Sequence, residues 1–233
     1  MKVLITTASH FASYQLAYLL KNEEVLFGDN FENFPPSNSN AIAHQLLAFC
    51  LDHQIEQLYP LRSSEIIPLL ESEVLFSEYG IEIMLTPNNL NHFNVFDKEV
   101  STFAELSSGL IALGYPNQTI AIADAENCGD MILLDDAVND NSLIWNQINR
   151  INFNQLGKWF NQSSFKKLQL HKVTGMLQQF YVLIYENKIL SYANISAETL
   201  AQLNNIQSQN KLKGLMHVVS VNNQMIRIKN AAL

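Results

Sequence analysis

Short apolar runs and one helical pattern alternate over the first thirty residues. Lys2 to Thr7 is apolar and rich in β-branched residues, and Val25 to Gly28 is a second apolar run. Between them, apolar and aromatic residues from Phe11 to Leu20 recur at roughly helical spacing. A strand, a helix and a strand within about 30 residues are typical of a right-handed crossover that joins two parallel strands. The pattern therefore predicts that the chain begins with a βαβ unit.

The same alternation continues to about the end of the first ninety residues. It predicts four further elements: a helix that ends near residue 53, a strand over residues 55–61, a helix over residues 63–80 and a strand over residues 81–85. Four strands with three intervening helices are typical of an α/β fold. We therefore predict a first domain over residues 1–95, built on a small, doubly wound, Rossmann-like parallel sheet.

The rest of the chain, residues 96–233, has a different pattern. It predicts the following elements: a helix over residues 97–113, short strands over residues 119–123 and 131–134, a helical pattern within residues 139–162, a hairpin of residues 180–185 and 189–192, a helix from Ser196 to about Gln209, and a last hairpin of residues 215–221 and 224–229. Helices and hairpins in this order predict a second, α+β domain. Acidic residues between Asp124 and Asp140 are interpreted as a solvated face rather than a cation site, because their spacing lacks the regularity of a calcium-binding loop.

Composition narrows the classes of partner and compartment. A formal net charge of −8 with only three arginines argues against nucleic acid or an anionic membrane surface as the main partner. The first residues lead directly into a strand without the pattern of a signal peptide, and no apolar run reaches the ~18 residues of a membrane span. Two cysteines without CxxC spacing or clustered histidines favour a reduced, cytoplasmic protein without a metal framework.

Candidate ligand-binding residues follow the predicted parallel strands, because ligands of such sheets bind beyond the carboxyl ends of the strands. The candidates are Thr7, Ser9 and His10 after the first strand, Asp29 after the second, Arg62 and Glu65 after the third, and Asn88 after the fourth. Each also has a structural interpretation. His10 is suited to a hydrogen bond with nearby backbone, and Asp29 to capping or to a solvated position. Arg62 with Glu65 is suited to a helix-cap ion pair, and Asn88 to a turn.

The order of several segments resembles the large subunit of carbamoyl-phosphate synthase and related ATP-grasp carboxylate–amine ligases. The segments are KVLITTAS, EEVLFGDN, LLAFCLDHQIEQLYPLRSSE, YGIEIMLTP and FDKEVSTFAELSSGLIALGYP. The resemblance implies a pre-ATP-grasp domain over residues 1–95 and a two-part, nucleotide-clamping ATP-grasp-like domain over residues 96–233. Asp97-Lys98 occupies the place of the family's "DK", so the resemblance adds Lys98 to the candidate residues.

The chain departs from this family where the family carries its chemistry. The first loop lacks glycine, and no lysine occurs between Lys98 and Lys158, although the resemblance implies a phosphate-binding lysine there. The resemblance implies metal-binding carboxylates on the last strand, which here carries Arg227 and Lys229. We therefore predict a shortened, degenerate ATP-grasp-like protein that does not perform ligation and binds a small metabolite or a protein partner. No metal site is predicted, and the cofactor is left open.

Two enzymatic alternatives remain open. A divergent ATP-dependent ligase would use ATP and magnesium, with phosphates held by Lys98, Lys166, Lys167 or Lys172. The opening twenty residues also look like a short-chain-dehydrogenase NAD(P)-binding protein, but the Tyr-x-x-x-Lys that proton transfer needs in that family does not occur. A homo-oligomer is possible under each alternative.

Overall fold

The protein is described by a computed structural model over residues 1–87, 90, 93–125, 131–135, 149–162 and 167–231. Its contacts divide the chain into two compact units. Unit 1 comprises Met1–Asn88, Tyr181–His217 and Asn230–Leu233, and unit 2 comprises Asn89–Phe180 and Val218–Lys229. The linear domains over residues 1–95 and 96–233 remain a prediction. Within the described residues, no helix is both long and apolar enough to cross a membrane.

Unit 1 contains a four-stranded parallel sheet that carries the candidate residues. Its strands are β1 (Lys2–Ile5), β2 (Glu24–Phe27), β3 (Gln57–Tyr59) and β4 (Glu82–Ile83). They lie in the order β2-β1-β3-β4, and Val3 is paired with Val25 on one side and with Gln57 on the other. The intervening helices are α1 (Phe11–Leu19), α2 (Ile42–Asp52), α3 (Ser63–Glu71) and α4 (Glu73–Glu78). The mixed α/β architecture expected from the sequence is confirmed.

Both faces of this sheet are buried, as is usual for parallel strands. Leu4 and Leu58 pack on one face against apolar residues of α2, α3 and α4. The alternate residues Val3, Ile5 and Tyr59 pack on the other face against α1 and against residues from the later part of the chain. The period-two alternation of strands β1 and β3 therefore serves two cores within one unit.

Unit 2 contains a five-stranded sheet. Its strands are β5 (Lys98–Val100), β6 (Ile120–Asp124), β7 (Ile132–Leu134), β8 (Asn149–Ile151) and β9 (Leu168–Lys172), in the order β5-β9-β6-β7-β8. Its helices are α5 (Phe103–Ala112) and α6 (Phe153–Gln162). The strands predicted at residues 119–123 and 131–134 are confirmed, whereas β8 and β9 were not predicted. Part of the helical pattern at residues 139–162 forms α6, and residues 136–148 lie outside the described residues.

The prediction of one helix over residues 97–113 is wrong, because its first residues form β5. The helix begins only after Thr102, whose hydroxyl accepts a hydrogen bond from the Glu105 amide at 3.2 Å. Glu105 in turn accepts from the amides of Ser101 and Thr102 at 2.8 and 3.2 Å. This capping box fixes the start of α5 and leaves the preceding residues free to pair with β9.

The third sheet consists of two predicted hairpins. Its strands are β10 (Leu177–Tyr185), β11 (Lys188–Ser191), β12 (Gly214–Val221) and β13 (Gln224–Asn230), in the order β11-β10-β12-β13, and α7 (Ala197–Gln209) lies between the hairpins in sequence. The turns Glu186-Asn187 and Asn222-Asn223 both have positive φ at both residues. That is the conformation of a two-residue hairpin turn, which asparagine tolerates well. Both hairpins and the helix capped by Ser196 are confirmed.

We predict that Gly214→Ala destabilises the protein by about 3 kcal/mol. Gly214 has a φ of +90°, and a Cβ at this position would overlap with the main-chain carbonyl of Met84 in the same unit. The matched control is Gly157→Ala, since a Cβ at Gly157 in α6 meets nothing within 4 Å. That control is expected to be stabilised by about 0.5–1 kcal/mol. Urea unfolding measures both effects, and equal stabilities of the two variants would contradict the prediction.

Candidate functional site

The residues after β1 and β2 meet at one edge of the parallel sheet. The Asp29 carboxylate accepts hydrogen bonds from the Thr7 hydroxyl at 2.7 Å and from the Ala8 amide at 2.8 Å. The hydroxyls of Thr7 and Ser9 lie 2.8 Å apart and share a hydrogen bond. The sequence therefore identified neighbours correctly, but the carboxylate is used to hold the first loop. The Asp29 carboxylate thus accepts hydrogen bonds that hold the loop after β1 in place, and this loop contains no glycine.

His10 caps the first helix. Its Nδ1 accepts a hydrogen bond from the Ala12 amide at 3.1 Å, which assigns the proton of a neutral ring to Nε2. The imidazole also lies edge-on to the ring of Tyr181, with 6.1 Å between ring centroids. The hydrogen bond to nearby backbone that was considered from the sequence is therefore present in the structure, as a helix cap.

Arg62 and Glu65 form a buried ion pair beyond the end of β3. Arg62 Nε donates to Oε1 of Glu65, and Nη2 is in ionic contact with the same oxygen. Arg62 Nη1 donates to the carbonyl of Pro35 at 3.1 Å, and its guanidinium lies 4.7 Å from the centre of the Phe34 ring. The Glu65 side chain is fully buried. The pair thus joins α3 to the loop after β2 rather than facing open solvent.

Burial raises the pKa of the Glu65 carboxyl. Loss of hydration raises the pKa of its carboxyl above the ordinary value, and this effect is opposed by a hydrogen bond from Thr6 and by the charge and hydrogen bonds of Arg62. The Thr6 hydroxyl also accepts a hydrogen bond from the Leu61 amide at 2.9 Å. The rim of the sheet therefore contains a carboxyl whose polar partners all come from this unit.

The remaining two candidates, Asn88 and Lys98, come later in the chain. Asn88 lies outside the described residues. Lys98 belongs to unit 2, where its backbone pairs with Leu170 of β9 and its side chain is exposed. The preceding Asp97 accepts a hydrogen bond from the Lys172 amide at 2.6 Å and contacts Nδ1 of His171 at 3.3 Å. The "DK" pair thus fixes β5 against β9.

Two cations on the last strand form a second cluster, which was noted from the sequence only as a departure from the family. Arg227 and Lys229 are buried on β13. Arg227 Nη2 donates to the carbonyl of Asp124 at 3.1 Å, and Lys229 Nζ donates to the carbonyls of Asp124 and Ala125 at 3.2 and 2.8 Å. Asp124 is also buried, so its assignment to a solvated acidic face is wrong. Two basic residues at alternate positions of a short, otherwise largely apolar strand were the signal that could have identified this cluster.

A small cavity adjoins this cluster in unit 2. It has a volume of about 20 Å³ and is lined by β6, β9 and β13 together with Val95, Phe96 and Met131. The Val95 amide donates to the carbonyl of Ile226 at 2.8 Å, so the segment before β5 closes this space from one side. Such a volume accommodates about one water molecule.

The two cations cannot themselves be ligands of a magnesium ion. Magnesium prefers carboxylate and carbonyl oxygens in octahedral geometry, whereas Arg227 and Lys229 offer only donors. Among the described residues, no group of three or more His, Cys, Asp or Glu side chains is placed to hold a metal ion.

We predict that the stability of wild type relative to Glu65→Gln falls as the pH rises from about 4 to 7. Glutamine resembles the protonated carboxyl, whose contribution is fully present below the ordinary pKa of about 4.5 and is lost as the pH rises through the raised folded-state value. Chemical unfolding of both proteins across this range gives the difference.

Glu105→Gln is the matched control for this measurement, because the pKa of Glu105 is shifted in the opposite direction from that of Glu65. Amide hydrogen bonds from Ser101 and Thr102 lower the pKa of Glu105. Its contribution is present above the ordinary pKa of 4.5 and is lost as the pH falls below that value, so unfolding measured below pH 4.5 as well should show a stability difference that rises with pH. A difference for Glu65 that also rises with pH would contradict the assigned shift.

The sequence matches no model of a known protein family, and it matches no curated protein. Solved structures do resemble the fold. D-alanine–D-alanine ligase from Bacillus anthracis complexed with ATP is 10% identical, with a TM-score of 0.50 over 99% of this chain and 86% of that chain. A biotin carboxylase complex from Campylobacter jejuni is also 10% identical, with a TM-score of 0.50 over 100% of this chain and 65% of that chain. The chain therefore has the fold of the ATP-grasp ligases.

Proposed function

We propose that this protein is an ATP-grasp ligase homologue that does not perform ligation and instead binds a small metabolite or a protein partner. In this proposal, residues 1–95 are a pre-ATP-grasp-type region related to that of carbamoyl-phosphate synthase. The observation that carries the proposal is the pair of buried cations, Arg227 and Lys229, bound to main-chain carbonyls on the last strand.

Electrostatics explains why these cations oppose ligation chemistry. The resemblance places metal-binding carboxylates on the last strand, where they hold the magnesium ions that neutralise the phosphates of ATP. A guanidinium and an ammonium at those positions repel a divalent cation and provide no ligand for it. Because Lys229 already donates to two carbonyls, moving it toward a phosphate would leave those buried acceptors without it.

The size of the adjoining space supports the same proposal. Pockets for nucleotide-sized ligands have volumes of about 300–1,000 Å³. The cavity between β6, β9 and β13 has a volume of about 20 Å³. A nucleotide could enter there only if Val95, Phe96 and the neighbouring strands moved apart.

Net charge and cysteine content support the proposed kind of partner and the proposed compartment. With a net charge of −8, the chain favours a small molecule or a protein over nucleic acid or an anionic membrane. A cytoplasmic location is proposed because the sequence uses its cysteines in the way typical of reduced proteins. Burial raises the pKa of the Cys50 thiol to about 12, so this thiol is unreactive.

A divergent ATP-dependent ligase is the second candidate, and the fold favours it. The likeness to a ligase complexed with ATP extends over 99% of this chain. In such a ligase, the phosphates of ATP would need to be bound by lysines such as Lys98 and Lys172 of unit 2. Lys167 forms an ion pair with Glu99, with 3.0 Å between Nζ and Oε1. Lys166 lies outside the described residues. The short-chain-dehydrogenase alternative is disfavoured, because the sequence lacks the Tyr-x-x-x-Lys that proton transfer needs in that family.

We predict that calorimetric titration with ATP gives no saturable binding at millimolar nucleotide, with or without magnesium. The physical reason is that the cations of β13 provide no ligand for the metal ion, and the cavity beside them, of about 20 Å³, is too small for a nucleotide. Circular dichroism of the same sample confirms that the protein is folded. Binding that strengthens with magnesium, or ADP release with any amine and carboxylate pair, would overturn the proposal and favour the ligase.

A further inference from the structure

Helix α1 exposes a row of aromatic side chains. Phe11, Tyr14 and Tyr18 are 57%, 56% and 57% exposed, and their spacing of three and four residues places them on one helical face. Tyr192 of unit 1 is 57% exposed and lies edge-on to Tyr18, with 5.4 Å between ring centroids. We call these four residues the aromatic stripe.

The stripe is not needed to hold the helix in place. The opposite face of α1 carries the buried residues Ala12, Ser13 and Leu16, and Leu16 belongs to the core beside the parallel sheet. The helix is therefore apolar on two faces, whereas a surface helix of a monomer usually presents a polar outer face. A second apolar face is typical of a surface that meets a partner.

Neighbouring rings hold the stripe in a defined arrangement. Tyr14 packs against Phe27 with 5.5 Å between centroids, in addition to the contact of Tyr18 with Tyr192. Aromatic side chains with few rotatable bonds lose little conformational entropy on binding, so a prearranged row is suited to contact a partner.

We propose that the aromatic stripe is the interface of a homodimer, in which α1 packs against α1 of a second copy. The charge distribution favours this partner. The chain carries a net charge of −8, yet no acidic residue occurs between His10 and Asn22. This stretch of an acidic chain carries no carboxylate, so two copies can meet along α1 without placing carboxylates together. Lys21, which lies 5.7 Å from the Tyr18 ring, ends the stripe.

The geometry of the stripe fits a two-fold axis. An isologous contact places the same patch of both copies together, and antiparallel packing of α1 brings the central residue of the row, Tyr14, next to Tyr14 of the second copy. Each ring contributes about 100 Å² of exposed surface, so the stripe offers roughly 400 Å² per chain. A standard interface buries about 800 Å² per partner, so the dimer is expected to be weak, with a dissociation constant in the micromolar range.

Analytical ultracentrifugation over a range of protein concentrations tests this proposal. Wild type should pass from a monomer of 26.4 kDa to a species of twice that mass as its concentration rises. Tyr14→Glu and Tyr14→Lys should each remain monomeric, because like charges then meet at the axis. An equimolar mixture of the two variants should restore the dimer. Phe11→Glu, at the end of the stripe, should weaken the dimer about tenfold or more if a Tyr14 variant fails to fold.

Val74→Glu is the matched control. Val74 lies on α4 of the same unit and is 72% exposed, so this variant adds the same charge at an apolar surface position outside the stripe. It should dimerise like wild type. A wild-type protein that stays monomeric at hundreds of micromolar, dimers of both Tyr14 variants alone, or open-ended association would each overturn the proposal.

Discussion

A buried ammonium group must have hydrogen-bond acceptors, and Lys229 is such a group in the interior of unit 2. Lys229 obtains two of its acceptors from the main-chain carbonyls of Asp124 and Ala125, and Arg227 binds the first of these carbonyls as well. Leaving a charged group buried without partners would cost several kcal/mol, so strand β13 and the end of β6 are coupled. The chain has the ATP-grasp fold, and the proposed function depends on the presence of these two cations on its last strand.

The carboxylates that follow the strands of the parallel sheet also have hydrogen-bond partners within the fold. Asp29 is satisfied by the first loop, and Glu65 is satisfied by Arg62 and Thr6. A ligand at this rim would have to displace contacts that hold the loops beyond the strands. The rim is therefore better suited to positioning those loops than to strong recognition of a charged ligand.

Local patterns predicted most elements, and tertiary contacts decided the rest. Alternation identified the buried strands, and the pairs of residues with positive φ explain why both hairpins were found from sequence. The helix expected from residue 97 failed because the capping box at Thr102 and pairing with β9 outweigh helical periodicity. Burial of Asp124 depends on contacts with β13, a hundred residues later, so no local pattern could indicate it. Likewise, the spacing of Phe11, Tyr14 and Tyr18 identifies a helix but not which face it exposes.

The most direct test of this account is the unfolding free energy of Lys229→Met, compared with that of Lys188→Met. Lys188 is an exposed lysine of β11 whose removal should change stability by less than about 0.5 kcal/mol. The account predicts that Lys229→Met loses about 2 kcal/mol, because two buried carbonyls lose a charged donor. Equal stability of the two variants would contradict it, since Lys229 would then be available to bind a phosphate group.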